Sequence, residues 1–344
     1  MTDEQSGHEL DQEEELFEHH KFRADKGQVI TRIDKFLLDR LPNTSRNKIQ
    51  AAAKNGNIHI KGLPVKQNYK VKPGDEISIV LPYPVKELKL IPQNIPLDIQ
   101  YEDDDLLVVN KAADMVVHPG YGNYKDTLVN ALVFHFENLP KMPSDYFGRP
   151  GLVHRIDKHT TGLLVIAKTE RALNHLAKQF FERTIERKYF ALVWGDIFEN
   201  GTIKGHIGRS LKNRKVMAIF PDGEHGKNAI THYEIVERFG YVTLVSCKLE
   251  TGRTHQIRAH FQHIGHPLFN DKEYGGDKII KGTPSKAYNQ FIANCFQLIP
   301  GQALHAHSLG FLHPQNNRKI YLETPVPQGF NTLIERWRKY CVNF

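Results

Sequence analysis

Gly151-Leu152-Val153-His154-Arg155-Ile156-Asp157-Lys158-His159-Thr160-Thr161-Gly162-Leu163-Leu164-Val165-Ile166-Ala167-Lys168 sets two apolar, strand-like pieces on either side of a polar turn. Such a turn lifts Asp157 out of a sheet on a rigid mount. Arg155 and Lys158 flank the aspartate, and His154 and His159 lie just beyond. Positive neighbours favour the charged form of a carboxylate, and a held carboxylate is suited to act as nucleophile or base. An aspartate that merely caps its own turn is the alternative, and the segment alone does not separate the two.

Outward from this stretch, the chain beyond residue 99 mixes strands with helices. Leu106 to Val109, Gly162 to Lys168, Tyr189 to Trp194, Thr231 to Val236 and Val242 to Leu249 read as strands. A helix is expected from Glu170 to Arg183, with Leu173, Leu176, Ala177 and Phe180 inward and Thr169 as its cap, and a second near Thr254 to His263. Strands outnumber helices and do not alternate with them regularly. The expected fold class is therefore α+β, a large, mostly antiparallel mixed sheet with flanking helices, rather than a doubly wound one.

Residues 28–81 read as a separate α/β module. Ile33, Phe36, Leu37 and Leu41 recur at helical spacing before Pro42, and Ser45 caps a second helix through Ile49, Ala52 and Ala53 that ends at Gly56. Ile58-His59-Ile60 and Ile77 to Val80 read as strands, each beside a turn. Ten basic residues against four acidic ones give this module 10 − 4 = +6. Arg32, Lys35, Arg46 and Lys48 on the polar helix faces are candidates to grip phosphates without reading sequence. A merely solvated helix face is the alternative. Residues 82–98, with four prolines, read as a linker.

The full chain of 344 residues has 46 Lys and Arg against 39 Asp and Glu, 46 − 39 = +7. Eight of those acids fall between Met1 and His20, where there is no Lys or Arg. The remainder carries 46 − (39 − 8) = +15, a balance suited to a polyanionic partner. Residues 1–27 are expected to be a flexible acidic tail. The apolar runs are far too short to span a bilayer, and an acidic N-terminus without an apolar core is no signal peptide. Cys247, Cys295 and Cys341 are widely separated, which excludes a disulfide framework or CxxC zinc site and suits a reducing cytosol.

Cofactor motifs are missing. No GxxxxGK[ST] loop or GxSxG elbow occurs, and Gly120-Tyr121-Gly122 lacks a third glycine. His255, His260, His263 and His266 lack a nearby carboxylate before Asp271, so structural or RNA-contacting roles are expected rather than a metal site. Glu102-Asp103-Asp104-Asp105 reads as an exposed turn. A second constellation, Leu249-Glu250-Thr251-Gly252-Arg253-Thr254-His255-Gln256-Ile257-Arg258, runs from strand through glycine to a helix start, an anion site with Arg253 at its mouth. Arg253 could pair with Asp157 or with a phosphate, or be a surface arginine. No cofactor and no metal are expected.

Two resemblances sharpen this. RIDKFLLDRLPNTSRNKIQAAAKNGNIHIKGLPVKQNYKVKPGDEISI resembles an S4 RNA-binding domain in element order and in its SR, IHIKG and KPGDEI runs. HRIDKHTTGLLVIAK, then RKYFALVWG, TGRTHQIRAH and LHAHSLGFLHP, preceded by MVVHPGYGNYKDTLVNAL, resemble the A/D type of the ribosomal large-subunit pseudouridine synthase family. That resemblance covers essentially all of the chain from residue 99. It implies isomerisation of uridine to pseudouridine in RNA, which needs neither redox chemistry nor phosphate energy. It places the catalytic aspartate at Asp157, a base-stacking tyrosine implicated in proton transfer at Tyr189, and an arginine bridging to the aspartate at Arg253. It also places His154, Arg155, Thr161, Gly162 and the Leu304-His305 strand end around the pocket. Two departures stand out. Ile156 replaces leucine, and Asn270 occupies a glycine position, which asparagine tolerates at positive φ.

Three routes stay open for Asp157: attack at C1′, attack at C6, or removal of the C2′ proton to give a glycal, which the resemblance favours. The implied substrate is a 23S ribosomal RNA stem-loop of the helix 69 type, with transfer RNA or another ribosomal site as the alternative. A non-catalytic RNA-binding assembly factor is the reading from another class. The chain is expected to act in the cytoplasm as a monomer.

Overall fold

The computed structural model describes residues 17–342 except 42–43, 82–89, 121–122, 142–148, 212, 214–215, 222, 224 and 284. The chain separates into two compact units that divide between residues 88 and 89.

The first unit follows the expected helix–helix–strand order. Strands β1 (Phe17–Arg23) and β2 (Thr31–Arg32) precede helices α1 (Ile33–Leu38) and α2 (Arg46–Lys54), then β3 (Ile58–Ile60), β4 (Leu63–Pro64), β5 (Lys70–Val71) and β6 (Glu76–Leu81). The order in the main sheet is β1-β6-β3-β4, and β2 pairs with β5. Ser45 caps α2 by accepting from the Lys48 amide at 3.3 Å, and Gly56 takes φ +73° just past the helix. Ile33, Phe36, Leu37, Ile49, Ile58 and Ile77 form the buried core.

The expectation of a flexible tail over residues 1–27 is corrected at its C-terminal part; residues 1–16 lie outside the described residues. β1 pairs antiparallel with β6 from Phe17↔Leu81 to Arg23↔Glu76, so residues 17–23 complete this unit's sheet. The sequence does not disclose this strand, because Glu18, His19, His20 and Lys21 give it little apolar alternation.

The second unit is built on a ten-stranded sheet. Its strands are β7 (Ile99–Glu102), β8 (Leu106–Lys111), β9 (Thr161–Ala167), β10 (Glu186–Trp194), β11 (Gly201–Arg209), β12 (Met217–Phe220), β13 (Lys227–Arg238), β14 (Val242–Leu249), β15 (Leu304–Leu312) and β16 (Lys319–Glu323). The order is β12-β11-β13-β14-β10-β15-β9-β8-β7, with β16 on β15. Among the described residues β15–β9 is the one parallel strand pair of this sheet, so the mostly antiparallel mixed sheet is as the sequence implies. Helices α3 (Leu128–His135), α4 (Glu170–Glu182), α5 (Gln256–His263), α6 (Lys286–Phe296) and α7 (Gln328–Val342) flank it. Thr169 caps α4 as expected, its side chain accepting from the Ala172 amide.

β10 shows why the sheet is buried on both faces. Tyr189, Ala191 and Val193 join one core with Val245, Cys247, Ile257 and Phe261, while Leu192 and Trp194 join another with Phe269, Leu333 and Trp337. Burial on both faces turns a strand into a continuous apolar run.

Two further expectations change. Residues 82–89 of the expected linker lie outside the described residues, but Leu90 and Leu97 pack against the second unit's core and Gln93 bonds Asn130. In the acidic run, Asp105 is buried, not exposed. It accepts from Arg171 at 2.8 Å and Thr169 at 2.9 Å, tying the start of α4 to β8. Asp103 accepts from the amides of Asp105 and Leu106 and closes the turn. These carboxylates are spent on structure.

Candidate active site

The loop before β9 carries Asp157 to the wall of a cavity of about 460 Å³. Arg155, Asp157, Phe180, Phe181, Arg183, Arg187, Tyr189, Gly252, Arg253, His255, Arg258 and Leu304 all line it. The loop is fixed at three points. Leu152 bridges Ile166, the Asp157 carbonyl accepts from the Thr160 amide at 3.1 Å, and the Lys158 carbonyl accepts from Lys111 Nζ at 2.9 Å. Lys111 is buried and also donates to the carbonyls of Ala112 and Met115. Burial pulls its pKa down to about 7, against the raising effect of Asp157 and Asp114.

The arginine on Asp157 is Arg258, not Arg253. Arg258 NH1 donates to Asp157 Oδ2 at 3.1 Å, its Nε and NH2 grip Asp271 at 2.7 and 2.8 Å, and NH2 also reaches Glu273 at 2.6 Å. The Tyr274 ring centre lies 4.8 Å from the guanidinium carbon. Burial would lower the Arg258 pKa, but the hydrogen bonds and charge of Asp271 lead a set of effects that raises it, so the guanidinium is a fixed cation. Arg253 stands in the same cavity, with Nε donating to the Asn228 carbonyl at 3.1 Å and its amide to Gln256 Oε1. The reason is helical geometry. Arg253 precedes α5, whereas Arg258 sits on its buried face beside Ile257 and Phe261. No local sequence signal separates the two arginines, because of the residues three and four places from Arg258 (Thr254, His255, Phe261 and Gln262) only Phe261 is apolar.

Asp271 reaches Arg258 through the turn whose glycine is replaced. Asn270 takes φ +62°, and its side chain donates to the carbonyls of Phe296 and Ile299, so the substituted residue holds the turn. His255 also has positive φ, +52°, and its Nε2 lies 3.8 Å from Asp157 Oδ1. Sequence groups it with the structural or RNA-contacting histidines, and it lines the cavity.

Tyr189 is buried on β10 and lines the cavity, and burial raises its phenol pKa. Leu304 and the exposed Arg155 line the cavity as well. His154 stacks on Phe180 at 4.5 Å and accepts from the Val165 amide at 3.0 Å, so this ring is a wall element. Thr161 and Gly162 do not line the cavity; they lie behind it in the sheet. Thr161 Oγ1 bonds His305 Nδ1 at 2.8 Å, and a Cβ on Gly162, whose φ is +109°, would overlap the Ala306 backbone. In the first unit, Arg32 and Arg46 both bind the buried Asp34, with Gln50 as a third donor. Burial would raise that carboxyl, but the three donors hold it well below the usual range. Arg46 and Gln50 therefore clamp α2 to α1 through Asp34, Arg32 joins the same carboxylate from the start of α1, and Lys35 and Lys48 are exposed.

Among the described residues, no group of three or more His, Cys, Asp or Glu is arranged to hold a metal ion. Among them, too, no helix is long and apolar enough to cross a membrane. What remains is a carboxylate on a fixed loop, an immobile cation behind it, an aromatic wall and several arginines around a nucleotide-sized space.

Comparison with known proteins gives the family. Residues 105–263 match the family described as RNA pseudouridylate synthase, and residues 31–77 match the S4 domain. An uncharacterized RNA pseudouridine synthase of Chlorobaculum parvum is 45% identical over 315 residues, covering 91% of this chain and 96% of its own. The chain belongs to the RNA pseudouridine synthase family. The ribosomal large subunit pseudouridine synthase D of Pasteurella multocida is 39% identical over 309 residues, 90% of this chain and 91% of that one. The solved structure of human RNA pseudouridylate synthase domain containing 1 aligns with a TM-score of 0.52 at 26% identity, over 72% of the synthase and 96% of that chain. The synthase is thus an isomerase of RNA with an S4 domain.

Two fully buried histidines near the site give a stability prediction. His260 Nδ1 bonds Thr231 at 2.8 Å, and His305 bridges Thr161 and the Thr324 carbonyl. Burial pulls each pKa down to about 4. Between pH 6.5 and 4 the unfolded chain takes up these protons and the folded one does not. Stability is therefore full above pH 6.5 and falls with acidification through that window, by up to about 3 kcal/mol for each ring. Denaturant titrations at pH 7 and 4.5 should show a smaller loss in His305→Gln than in the wild type. An equal loss in the two proteins would count against it.

Proposed function

We propose that this synthase converts uridine to pseudouridine in 23S ribosomal RNA, at a stem-loop of the helix 69 type, acting in the cytoplasm as a monomer. The observation that carries the target is the run of relatives named ribosomal large subunit pseudouridine synthase D, 39–41% identical over 88–90% of the chain for three of them. Mapping pseudouridines in total RNA with and without the gene tests it. Loss confined to that 23S stem-loop is the expected result, and loss confined to transfer RNA would overturn it.

The reaction breaks the C1′–N1 bond and forms C1′–C5, while C5 loses a proton and N1 gains one, so no oxidant or reductant is consumed. The target uridine leaves its stack at a cost of a few kcal/mol, least in a loop. Asp157 is the catalytic carboxylate in this reading, attacking C1′ or C6 or removing the C2′ proton. Its 17% side-chain exposure, at the wall of the cavity, supports access to a flipped nucleotide. Arg258 is the positioning residue that aims it, supported by the 3.1 Å contact. Tyr189 offers a ring face for the base and a phenol for a proton, and Arg155 and Arg253 offer charge to the flanking phosphates.

The S4 domain, through Lys35 and Lys48 with the outer sides of Arg32 and Arg46, would add sequence-independent grip. Removing residues 1–88 should weaken RNA binding and lower its salt slope by roughly 2 or more, at about 0.7–0.9 for each phosphate that is no longer neutralised. An unchanged slope in a filter-binding titration would refute the anchoring role.

A further inference from the structure

A second basic feature lies outside the candidate active site, at the end of the sheet where β10 begins and β14 ends. There the register sets Lys188 of β10 directly opposite Lys248 of β14, and on the other side opposite Ser308 of β15. Like charges facing each other across two strands destabilise a sheet. Among the described residues neither lysine forms an ion pair. The nearby carboxylates are engaged elsewhere: Glu250 by His232 at 2.6 Å, and Glu186 by Lys319 at 2.7 Å. The two lysines line a groove of about 580 Å³ together with Lys319, Tyr321, Ser308, Arg187 and Glu186, the carboxylate that Lys319 engages.

Ser308 supplies an independent sign of a ligand. The residue is 3% exposed, and its hydroxyl, buried at the groove wall, has no hydrogen-bond partner. Buried hydroxyls are normally satisfied, so one facing a cationic groove has capacity for an external acceptor. Arg187 gives the groove its direction. It lines both this groove and the cavity that holds Asp157, and its Nε is also buried without a partner. Arg187, near the start of β10, is thus shared by the walls of both spaces.

We propose that this groove binds a phosphodiester of the substrate RNA strand, on the sheet face opposite Asp157, after the strand has passed over Arg187 from the catalytic cavity. Lys188 and Lys248 supply the charge, Ser308 Oγ donates to a phosphate oxygen, and Arg187 holds the strand at the rim. The pairing of two unneutralised lysines is then a site kept ready for an anion. The proposal rests on RNA as the substrate but not on which RNA or on the route taken by Asp157.

The test measures binding by fluorescence anisotropy in full-length protein carrying Asp157→Asn, so that a failure of the site assignment does not enter. The probes are a helix 69 stem-loop RNA and an unrelated stem-loop of equal length. Adding Lys188→Gln and Lys248→Gln should weaken both complexes alike, by roughly 3- to 10-fold near 0.1 M salt, and lower the salt slope by about 1 to 2. Lys188→Arg with Lys248→Arg should keep parental affinity and slope. The glutamine variant should melt no lower than its parent, because the cross-strand repulsion is gone. Unchanged affinity and slope in the glutamine variant would overturn the proposal. So would an arginine variant that binds as weakly as the glutamine one, since the loss would then come from altered structure.

Discussion

Asp157→Asn is expected to abolish pseudouridine formation, lowering the single-turnover rate on the order of 10⁴-fold or more, as loss of a nucleophile or its equivalent does elsewhere. The substitution is nearly isosteric, and the amide oxygen can still accept from Arg258 NH1, which lies 3.1 Å from the carboxylate. The loop itself is fixed by backbone contacts of Thr160 and Lys111 that the side chain does not make. The fold and the cavity should therefore survive. RNA affinity should stay within a few-fold of the wild type, and any change should be a gain, because one negative charge leaves a site surrounded by arginines. An isomerisation leaves the mass of RNA unchanged, so chemical derivatisation of pseudouridine followed by a mass-shift or primer-extension readout is the measurement. Activity retained within 100-fold would remove Asp157 from the chemistry and return it to the turn-capping role that the sequence also allows.

How much of this is legible in the sequence varies with the kind of contact. Asp157 is readable because its whole setting is local: two apolar runs and a polar turn within 18 residues, 151–168. Thr169 and Ser45 are readable as caps for the same reason. Positive φ at Asn270 follows from one residue type in one turn. Arg258 cannot be chosen over Arg253 by such means. The choice depends on which way α5 faces the sheet and on Asp271, thirteen residues on, being folded back to meet it. Likewise β1 is held by β6, some 60 residues away, and its own sequence has little strand pattern. Thr161 and Gly162 fall with their pocket-lining neighbours in sequence, but their pairing with β15 sets Thr161 on His305 and packs Gly162 against the Ala306 backbone instead. The family resemblance supplies the reaction; the direction of individual side chains comes only from packing.

Arg258→Met is the second large effect, and it should strike stability and chemistry together. The Asp271 side chain is fully buried, and Arg258 is the cation that holds it through two hydrogen bonds. Removing one member of a buried pair leaves the other charge uncompensated, at a cost of about 3–5 kcal/mol. In a unit of this size that lowers the melting temperature by roughly 6–20 °C. The amides of Glu273 and Tyr274 still donate to Asp271 at 3.2 and 3.3 Å, so the loss should stop short of unfolding the unit at room temperature. Asp157 meanwhile loses its anchor, and misplacement by about an ångström can cost on the order of 10²-fold in rate. The two effects separate in Arg258→Met combined with Asp271→Asn. Neutralising the orphaned carboxyl should recover much of the melting temperature, whereas kcat should remain low, because nothing restores the contact to Asp157. Arg258→Lys should fall between, keeping the charge but not the fork that serves Asp271 and Asp157 at once. If the double variant regains activity in step with its melting temperature, Arg258 serves only the fold; a melting temperature that recovers while kcat does not is the signature of a residue that aims Asp157.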